Sequence, residues 1–355
     1  MIIYWIMFAL PAICALFEQS RQDHRFSLVW LCLALSLAVL IGFRWETGGD
    51  WINYKMMVED AGSASSRFSL LSDPGFELIL RIAAGSSLGI LLVTIISGIV
   101  MGFALVRFCL DQPRPWLALA VAVPYFVVVM GMGYIRQGMA ISCWMMGMLS
   151  IRDRKLVGYC LWVLLGAAFH STSLILLPLG PLAATRSLAI RTMLGVLTLG
   201  VLVYGLESTR AEDLVTGYVQ AGMSSSGTVI RLLMTALPAT IFLIFRERFR
   251  LERVQTNIWT LMSSASLLGL AAIAVSPSST VVDRLCLYLL PIHSFLYSRI
   301  PNIFGQDDRN RRLVVLAILA GYLAVFFVWL NFAVNSWAWL PYRFYFFEDS
   351  ACLEC

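Results

Sequence analysis

A cluster of charged and aromatic side chains follows the second apolar stretch of the chain, in the segment FRWETGGDWINY at residues 43–54. Five of these side chains could contact a ligand: Arg44, Glu46, Asp50, Trp51 and Tyr54. An arginine can hold phosphate through its planar fork, and a carboxylate can bind sugar hydroxyls or accept a proton. The alternative is that Arg44 extends to the membrane surface while the carboxylates keep the segment solvated.

A second cluster lies in GMGYIRQGMA at residues 131–140, where Arg136 and Gln137 stand among three glycines. An arginine at the N-terminal end of a helix adds its charge to exposed backbone N–H groups, so an anion is favoured twice. The glycine spacing differs from a dinucleotide-binding fingerprint, and no strand precedes it. We therefore predict an anion site here, with an interfacial anchor as the alternative.

The third candidate is His170 in the segment FHSTS, one of only three histidines in the chain. A single histidine on an apolar face is more often a satisfied core residue. Here three hydroxyl residues follow it, and it falls at the same end of the predicted helices as Arg136. Because imidazole titrates near neutral pH, His170 is our first candidate for a general base. Asp50 is the second.

The fourth segment, SPSSTVVDRLCLY at residues 276–288, carries Asp283, Arg284 and Tyr288. Arg284, held by its neighbours, could meet phosphate through its two-pronged guanidinium. Alternatively, Asp283 only neutralises a buried arginine.

The composition indicates a membrane protein without a separate soluble domain. The 355 residues are 59% hydrophobic and only 13% charged, with a mean hydropathy of +0.80, whereas soluble domains are about 25% charged. No polar stretch is long enough for a soluble domain, so we treat residues 1–355 as one transmembrane domain. The net charge of +5 does not indicate nucleic-acid binding. The basic residues are informative through their positions in the loops, which indicate the orientation in the membrane.

Apolar runs, most of them about 15–22 residues long, predict an all-α fold with about twelve transmembrane helices. Several runs are shorter and must be tilted, broken or shielded by neighbours. The predicted spans are Ile2–Phe17, Phe26–Ile41, Leu88–Phe108, Trp116–Met132, Gln137–Ser150, Leu156–Phe169, Ser173–Ala184, Met193–Leu206, Val229–Phe245, Ile258–Val275, Leu285–Ser298 and Leu313–Leu330. We interpret the first as a retained span, because no basic leader or cleavage site accompanies it. The segment SDPGFELILRIAAGSS at residues 72–87 predicts a re-entrant or interfacial helix that starts at Pro74.

The basic residues predict the orientation. Most of the 26 lysines and arginines fall in alternate loops, which the positive-inside rule places in the cytoplasm. Both termini and the loops 44–87 and 207–228 then lie outside, and we expect these two loops to contribute to the site. The four clusters all fall at the outer ends of predicted spans, and they therefore predict one outer-facing site for an anionic, amphipathic ligand. Nine basic residues depart from the bias and are functional candidates for that reason: Arg44, Lys55, Arg67, Arg81, Arg136, Arg210, Arg231, Arg284 and Arg343.

The eight cysteines predict no metal site. Most are single residues in apolar runs, where cysteine packs like a small hydrophobe. Cys352 and Cys355 form a C-x-x-C pair without a second cysteine or histidine pair, so we expect neither a metal nor another cofactor. These two thiols could form a disulfide in an oxidising compartment.

The four clusters also resemble, in order, segments of a known family. The pattern R-x-x-T-G-G-D-W-x-x-Y at residues 44–54 is similar to the outer-loop signature of the EpsG family of polysaccharide polymerases, related to Wzy-type O-antigen polymerases. Trp51 stands where that family commonly has tyrosine. D-P-G-F-E-L, I-R-Q-G-M-A, F-H-S-T-S-L-I and D-R-x-x-x-Y are similar to further family segments, and the resemblance covers most of the chain. It carries over to Arg44, Asp50, Tyr54, Arg136, Gln137, His170 and Arg284.

The resemblance implies a GT-C-related glycosyltransferase of O-antigen or exopolysaccharide biosynthesis. It would join undecaprenyl-pyrophosphate-linked repeat units, without a metal, at the outer face of the bacterial cytoplasmic membrane. The expected partners are the lipid-linked glycan and the lipid bilayer, with a chain-length regulator protein as a further candidate and no nucleic acid.

Within that reaction, we predict that Arg136 and Arg284, with Arg44, hold the donor pyrophosphate. His170 or Asp50 takes the proton from an acceptor hydroxyl. The rest of the predicted substrate-binding set is Glu46, Trp51, Tyr54, Gln137, Asp283 and Tyr288.

Three other functions use overlapping chemistry. A transporter or flippase would place charges deep within its spans, whereas the charges here gather at span ends. An O-antigen ligase would transfer the same kind of donor to another acceptor, and a membrane O-acyltransferase would combine a histidine base with an acyl donor. The sequence leaves these alternatives open.

Overall fold

A computed structural model describes residues 1–18, 27–63, 73–187, 228–275 and 279–348, together with 189–190, 192–193 and 195–196. The chain forms two compact units: Met1–Met146, Leu165–Ser171 and Tyr297–Cys355 make the first, and Gly147–Leu164 and Thr172–Leu296 make the second. Some predictions lie outside the described residues: most of the span Met193–Leu206, the loop 207–228 except its last residue, residues 64–72 of the loop 44–87, and the pair Cys352 and Cys355.

The described part of the first unit is helical apart from one short strand pair. Its helices are Ile2–Phe17, Leu28–Gly42, Trp51–Ala61, Pro74–Ala84, Ile90–Leu110, Pro115–Ala122, Gly131–Gly133, Ile300–Phe304 and Asp308–Phe332, with a π-helical segment at Val123–Met130 and 3₁₀ turns at Ser336–Trp339 and Tyr345–Phe347. Strands Arg44–Trp45 and Arg343–Phe344 pair antiparallel, with Arg44 opposite Phe344 and Trp45 opposite Arg343. The pairing ties the first sequence cluster to the chain's C-terminal part.

The second unit contains the helices Leu179–Ala184, Thr228–Phe245, Arg253–Val275 and Ser279–Cys286, with 3₁₀ turns at Arg246–Phe249 and Leu287–Leu289. Four further helical elements include residues of both units: Ile135–Arg152, Leu156–Phe169, Ser171–Leu176 and Pro291–Tyr297. Within the second unit, Gly180 lies against the ring of Tyr159, where a Cβ would overlap the ring.

The helices confirm an all-α membrane protein. Among the described residues, five helices are long and apolar enough to cross a membrane: Ile90–Leu110, Pro115–Gly133, Thr228–Phe249, Arg253–Ile273 and Asp308–Phe332. Four apolar helices are shorter: Ile2–Phe17, Leu28–Gly42, Leu156–Phe169 and Ser171–Ala184. The number of twelve spans stays a prediction.

Two predicted spans combine 3₁₀ and α-helical segments. The span Leu285–Ser298 is divided among Ser279–Cys286, the 3₁₀ turn Leu287–Leu289 and Pro291–Tyr297, and the span Ser173–Ala184 changes from 3₁₀ to α-helix at Pro178. Proline has no backbone N–H to donate and its ring crowds the preceding turn. Pro291 and Pro178 therefore stand where new helical segments begin.

Small residues bring the helices Leu28–Gly42 and Ile90–Leu110 close together. Gly98 and Gly102 form a G-x-x-x-G pattern: a Cβ at Gly98 would lie 2.5 Å from the carbonyl oxygen of Ala38. Thr94 Oγ1 donates a hydrogen bond to the carbonyl oxygen of Gly42 (2.6 Å). Small residues allow such backbone approach between membrane helices. The pair thereby fixes Gly42, two residues before Arg44.

Candidate functional site

The carboxylate of Asp73 is the centre of a polar cluster in the first unit. Its Oδ2 lies 3.1 Å from Nη1 of Arg136 and 3.4 Å from Nδ1 of His170. Its Oδ1 accepts a hydrogen bond from the backbone N–H of Ser171 (2.7 Å). We call these four residues, together with Tyr54, the Asp73 cluster.

The backbone around Asp73 is specialised. Asp73 precedes the helix Pro74–Ala84 with a left-handed conformation (φ 43°, ψ 57°), which aspartate and asparagine tolerate better than most residues. Pro74 occupies the first helical turn, as the sequence predicts, since its missing N–H costs nothing there. The helix Pro74–Ala84 therefore begins at the residue that follows Asp73.

Gly75 brings this helix against the end of the helix Leu156–Phe169. A Cβ at Gly75 would lie 3.0 Å from the Cβ of Ala168 and 3.1 Å from its carbonyl oxygen, tighter than most side chains tolerate. Glycine permits this approach, and His170 and Ser171 follow Ala168 within three residues. Gly75 of D-P-G-F-E-L thus packs against Ala168, the residue before the segment FHSTS.

Arg136 joins Asp73 to the first sequence cluster. Its guanidinium donates a hydrogen bond to the Tyr54 hydroxyl, and the negative charge of Asp50 also acts on it. The guanidinium lies 5.8 Å from the ring centre of Phe76, within cation–π range. Four sequence segments therefore contribute side chains to the cluster, through Tyr54, Asp73, Arg136 and His170.

Exposure separates the side chains that a ligand can reach from those that support them. The side chain of Arg136 is 37% exposed and that of His170 is 20% exposed. Asp73 is largely covered, and Tyr54 is buried. Nδ1 of His170 makes the contact with Asp73. Within the described part of the chain, the other ring nitrogen, Nε2, has no hydrogen-bonding partner. An anion can therefore reach Arg136, and a hydroxyl group can reach His170.

Electrostatics keep Asp73 ionised. Burial by itself raises the pKa of Asp73, but it is outweighed by the hydrogen bonds from His170 and Ser171, the charge of His170 when protonated, and the charge of Arg136. The pKa of this carboxyl is therefore below its ordinary value. At neutral pH the group only accepts hydrogen bonds and is a weak base.

Arg44 occupies a very different environment, since its side chain is fully buried. Nε donates to the carbonyl oxygens of Thr47 (3.0 Å) and Met132 (3.1 Å), and Nη1 donates to that of Ile41. Among the described residues, Nη2 has no hydrogen-bonding partner. Arg44 thus binds its own loop to Met132 and presents no surface to a ligand.

The first glycine of the T-G-G-D pattern also faces Met132. Gly48 has φ 109°, and a Cβ there would overlap the carbonyl oxygen of Met132. Its N–H donates to the carbonyl oxygen of Ala338 (2.7 Å). This position requires glycine for its conformation and for its packing.

Trp339, which the sequence analysis did not select, covers the second glycine. Its ring packs against Gly49 and Gly133, and its Nε1 donates to the carbonyl oxygen of Val128 (3.0 Å). Trp339 therefore holds the loop 43–54 against the segment that leads into Arg136.

A family model compared with the whole chain gives its identity at family level. The EpsG family model matches residues 27–344, a range that includes every segment of the Asp73 cluster. The chain belongs to the EpsG family. Searches of curated proteins and of solved structures returned no significant match. A relation of this EpsG-family chain to the GT-C class stays a prediction.

Three other candidates in the first unit of the EpsG-family chain have structural contacts. Glu46 forms an ion pair with Arg343 across the strand pair, and both side chains are well exposed. Trp51 is buried, with its ring edge-on to Trp45 (5.0 Å between ring centres). Gln137 is also buried. Sugar stacking on Trp51 and substrate contacts at Glu46 and Gln137 stay predictions.

The fourth family segment lies in the second unit. Asp283 accepts two hydrogen bonds from Arg231, from Nε (2.8 Å) and from Nη2 (2.6 Å). Asp283 therefore pairs with Arg231, whose side chain is partly exposed. That neutralising an arginine is its whole role stays a prediction. Tyr288 is buried and its hydroxyl lies 2.9 Å from Oγ1 of Thr172. Arg284 is partly buried in the helix Ser279–Cys286, and its phosphate contact stays a prediction.

Asp73 was not predicted as a site residue from the sequence, and Arg231 was selected there without a partner or a role. A signal existed for each: Asp73 belongs to the family segment D-P-G-F-E-L, and Arg231 departs from the positive-inside bias. Neither signal identifies the partners. Among the described residues, no group of three or more His, Cys, Asp or Glu side chains could hold a metal ion.

Proposed function

We propose that this EpsG-family protein joins lipid-linked oligosaccharide repeat units into a polysaccharide by glycosyl transfer. The family is generally one of glycosyltransferase-like polysaccharide polymerases, and helices able to cross a membrane suit a lipid-linked substrate. The carrying observation is the Asp73 cluster, where a reachable arginine and a reachable histidine share one ionised carboxylate. We further propose undecaprenyl pyrophosphate as the carrier and the outer face of the bacterial cytoplasmic membrane as the place.

In the proposed reaction, an acceptor sugar hydroxyl attacks the anomeric carbon of the donor sugar. A new carbon–oxygen bond forms, the bond from that carbon to the pyrophosphate oxygen breaks, and the hydroxyl proton moves to Nε2 of His170. Arg136 binds the departing pyrophosphate through its fork and offsets the developing negative charge. His170 then releases the proton to water. The scheme uses no metal, because the guanidinium carries the compensating charge.

The burial of Arg44 changes its proposed role. A fully buried guanidinium bonded to three carbonyl groups supports the loop rather than the pyrophosphate. We propose that Arg44 and Tyr54 shape the site from within, while Arg136 contacts the ligand. Asp50 remains the second candidate base, and Arg284 remains a proposed phosphate contact.

The test is chain extension by the purified full-length protein in liposomes, with a synthetic lipid-linked repeat unit as substrate. His170→Gln can still hydrogen-bond but cannot take the proton, so turnover is expected to fall about 10²–10⁴-fold while donor binding is retained. His293→Gln is the matched control, because His293 bonds Thr235 (3.1 Å) in the second unit and has no proposed part in the reaction. Near wild-type turnover by His170→Gln would exclude the base role and make Asp50 the leading candidate.

Lipid-linked intermediates in a strain that lacks the protein separate the rival functions. Loss of a polymerase leaves single repeat units on the carrier outside the membrane, whereas loss of a flippase leaves none outside. Loss of a ligase leaves long polymer on the carrier, and loss of an O-acyltransferase leaves normal polymer without acyl groups. Only the first result agrees with the proposal.

The outer-face placement has a separate test. A reporter that is active only outside the cytoplasm should be active when fused after Glu59 or Ser225, and inactive when fused after Lys155 or Arg250. The opposite pattern would place the Asp73 cluster on the cytoplasmic side.

A further inference from the structure

We infer that Asp73 is a positioning residue that fixes His170 in the tautomer with its proton on Nδ1, so that Nε2 is the proton acceptor. The catalytic part of this inference rests on the proposed function. The tautomer itself does not, and it can be measured without any reaction.

The tautomer follows from what each atom can donate. Asp73 is ionised, and an ionised carboxylate has no proton to donate. The imidazole nitrogen that faces Oδ2 at 3.4 Å is Nδ1, so Nδ1 must carry the proton for the contact to be attractive. In a neutral imidazole the other nitrogen then has a lone pair. That nitrogen, Nε2, has no hydrogen-bonding partner among the described residues.

The carboxylate is itself held from several sides. Oδ1 accepts the N–H of Ser171, which is the residue after the histidine (2.7 Å), and Oδ2 is also bonded by Arg136 (3.1 Å). The side chain of Asp73 is only 12% exposed, so water competes little for its lone pairs. A restrained carboxylate can restrain the imidazole that it contacts.

The shared contact with Oδ2 of Asp73 also sets the distance between the side chains of Arg136 and His170. Arg136 and His170 contact the same oxygen atom. The proposed leaving-group contact and the proposed base therefore keep a fixed separation. A hydroxyl near Nε2 and a pyrophosphate on Arg136 would be placed by one carboxylate.

Asp73→Asn is the decisive variant, because asparagine has the same shape and tolerates the left-handed backbone at this position. Its amide oxygen can accept the Ser171 N–H, so that its NH₂ group takes the place of Oδ2. There it donates to Nδ1, and Arg136 loses its acceptor. His170 should then move its proton to Nε2. Asp307→Asn is the matched control, since Asp307 also precedes a helix and accepts a backbone N–H (2.7 Å from Asn310), without a histidine contact.

The first measurement is the ¹⁵N NMR spectrum of the histidine-labelled full chain in lipid nanodiscs, with the His170 signals identified from His170→Gln. Protonated and unprotonated ring nitrogens differ in chemical shift. We expect Nδ1–H in the wild type and in Asp307→Asn, and Nε2–H in Asp73→Asn.

The second measurement is chain extension. Asp73→Asn is expected to lower kcat about 10²–10⁴-fold, and KM for the lipid-linked donor is expected to rise, because Arg136 loses its carboxylate partner. In a His170→Gln background the same substitution should cost little more, because the residue through which it acts is already lost. Asp307→Asn should leave kcat unchanged.

The outcomes separate this inference from the proposed function. Nε2–H in the wild type, an unchanged tautomer in Asp73→Asn, or additive losses in the double variant would overturn the positioning role. If His170→Gln extends chains normally while the tautomer still depends on Asp73, the base assignment fails and only the contact stands.

Discussion

Arg44 and Arg136 look equivalent in the sequence, yet the fold places them in opposite environments. Carbonyl groups surround Arg44, whose side chain is fully buried. Arg136 meets a carboxylate and a phenol, and 37% of its side chain stays exposed. The comparison shows that an arginine at a membrane boundary is a ligand contact only if part of its fork remains reachable. A fully buried arginine such as Arg44 instead donates hydrogen bonds to several backbone carbonyl groups and so joins backbone segments.

The two regions also differ in how their charge is balanced. Asp73 compensates Arg136 directly, whereas the hydrogen bonds of Arg44 go to neutral carbonyl groups. Burial lowers the pKa of Arg44 to about 10, so it remains charged at neutral pH. A buried charge held only by carbonyl dipoles depends on its geometry. We therefore expect substitutions around Arg44 to alter folding, and those around Arg136 to alter chemistry.

The largest effect is expected at Gly48, beside Arg44. Gly48→Ala must place a Cβ on the Met132 carbonyl at φ 109°, and the strain and overlap together should cost about 3–5 kcal/mol. Thermal unfolding in detergent measures this. Gly321→Ala, whose Cβ would have open space, is the control and should be neutral or slightly stabilising. Equal stability of the two variants would contradict the packing at Met132.

Arg44→Lys should destabilise the protein by about 2–4 kcal/mol, because one ammonium cannot replace hydrogen bonds from two guanidinium nitrogens to three carbonyls. Turnover per folded molecule should stay near the wild-type value. Thermal unfolding and chain extension on the same preparation give both quantities. Unchanged stability with lost turnover would mean that Arg44 contacts the ligand after all.

Arg136→Lys should show the reverse pattern. The unfolding free energy should change by less than about 1 kcal/mol, since this ion pair is partly exposed. Turnover should fall about tenfold or more, because lysine keeps the charge but loses the fork. Arg81→Lys is the matched control, with a partly exposed carboxylate pair to Glu77 (3.0 Å). Equal turnover of both variants would remove Arg136 from the proposed chemistry.

The smallest expected effect is a difference in acid sensitivity, because Asp73 titrates and the carbonyl partners of Arg44 do not. The folded-state pKa of Asp73 is below its ordinary value of 3.8, so its ionised form stabilises the folded state above that pH. This contribution is lost as the pH falls through the lower folded-state pKa.

Thermal unfolding at a series of pH values checks this difference. The gap in stability between wild type and Asp73→Asn should shrink as the pH falls below about 4. The gap for Arg44→Lys should persist over the same range. If the Asp73 gap grew as the pH fell below about 4, the sign of the pKa shift would be wrong.

Several features of the site were readable from residues alone. Pro74 marks the start of its helix because the constraint is local to the ring. The D-R segment predicts, as one alternative, that Asp283 pairs with an arginine. The structure adds the identity of that arginine, which is Arg231. Asp73 was unreadable as a hub because its partners lie 63 and 97 residues away, and no local pattern encodes such distances.

The sequence by itself determined the membrane environment, the helical fold class and the family. These properties reside in composition, in the length of apolar runs and in short ordered segments, all of which are local along the chain. Only the tertiary structure decided which charged groups remain reachable. Burial of Arg44 and exposure of Arg136 depend on how the loop 43–54 packs against Met132 and Trp339. That packing is set by contacts between residues distant in sequence, and the same kind of contact places Arg136 and His170 beside the carboxylate of Asp73.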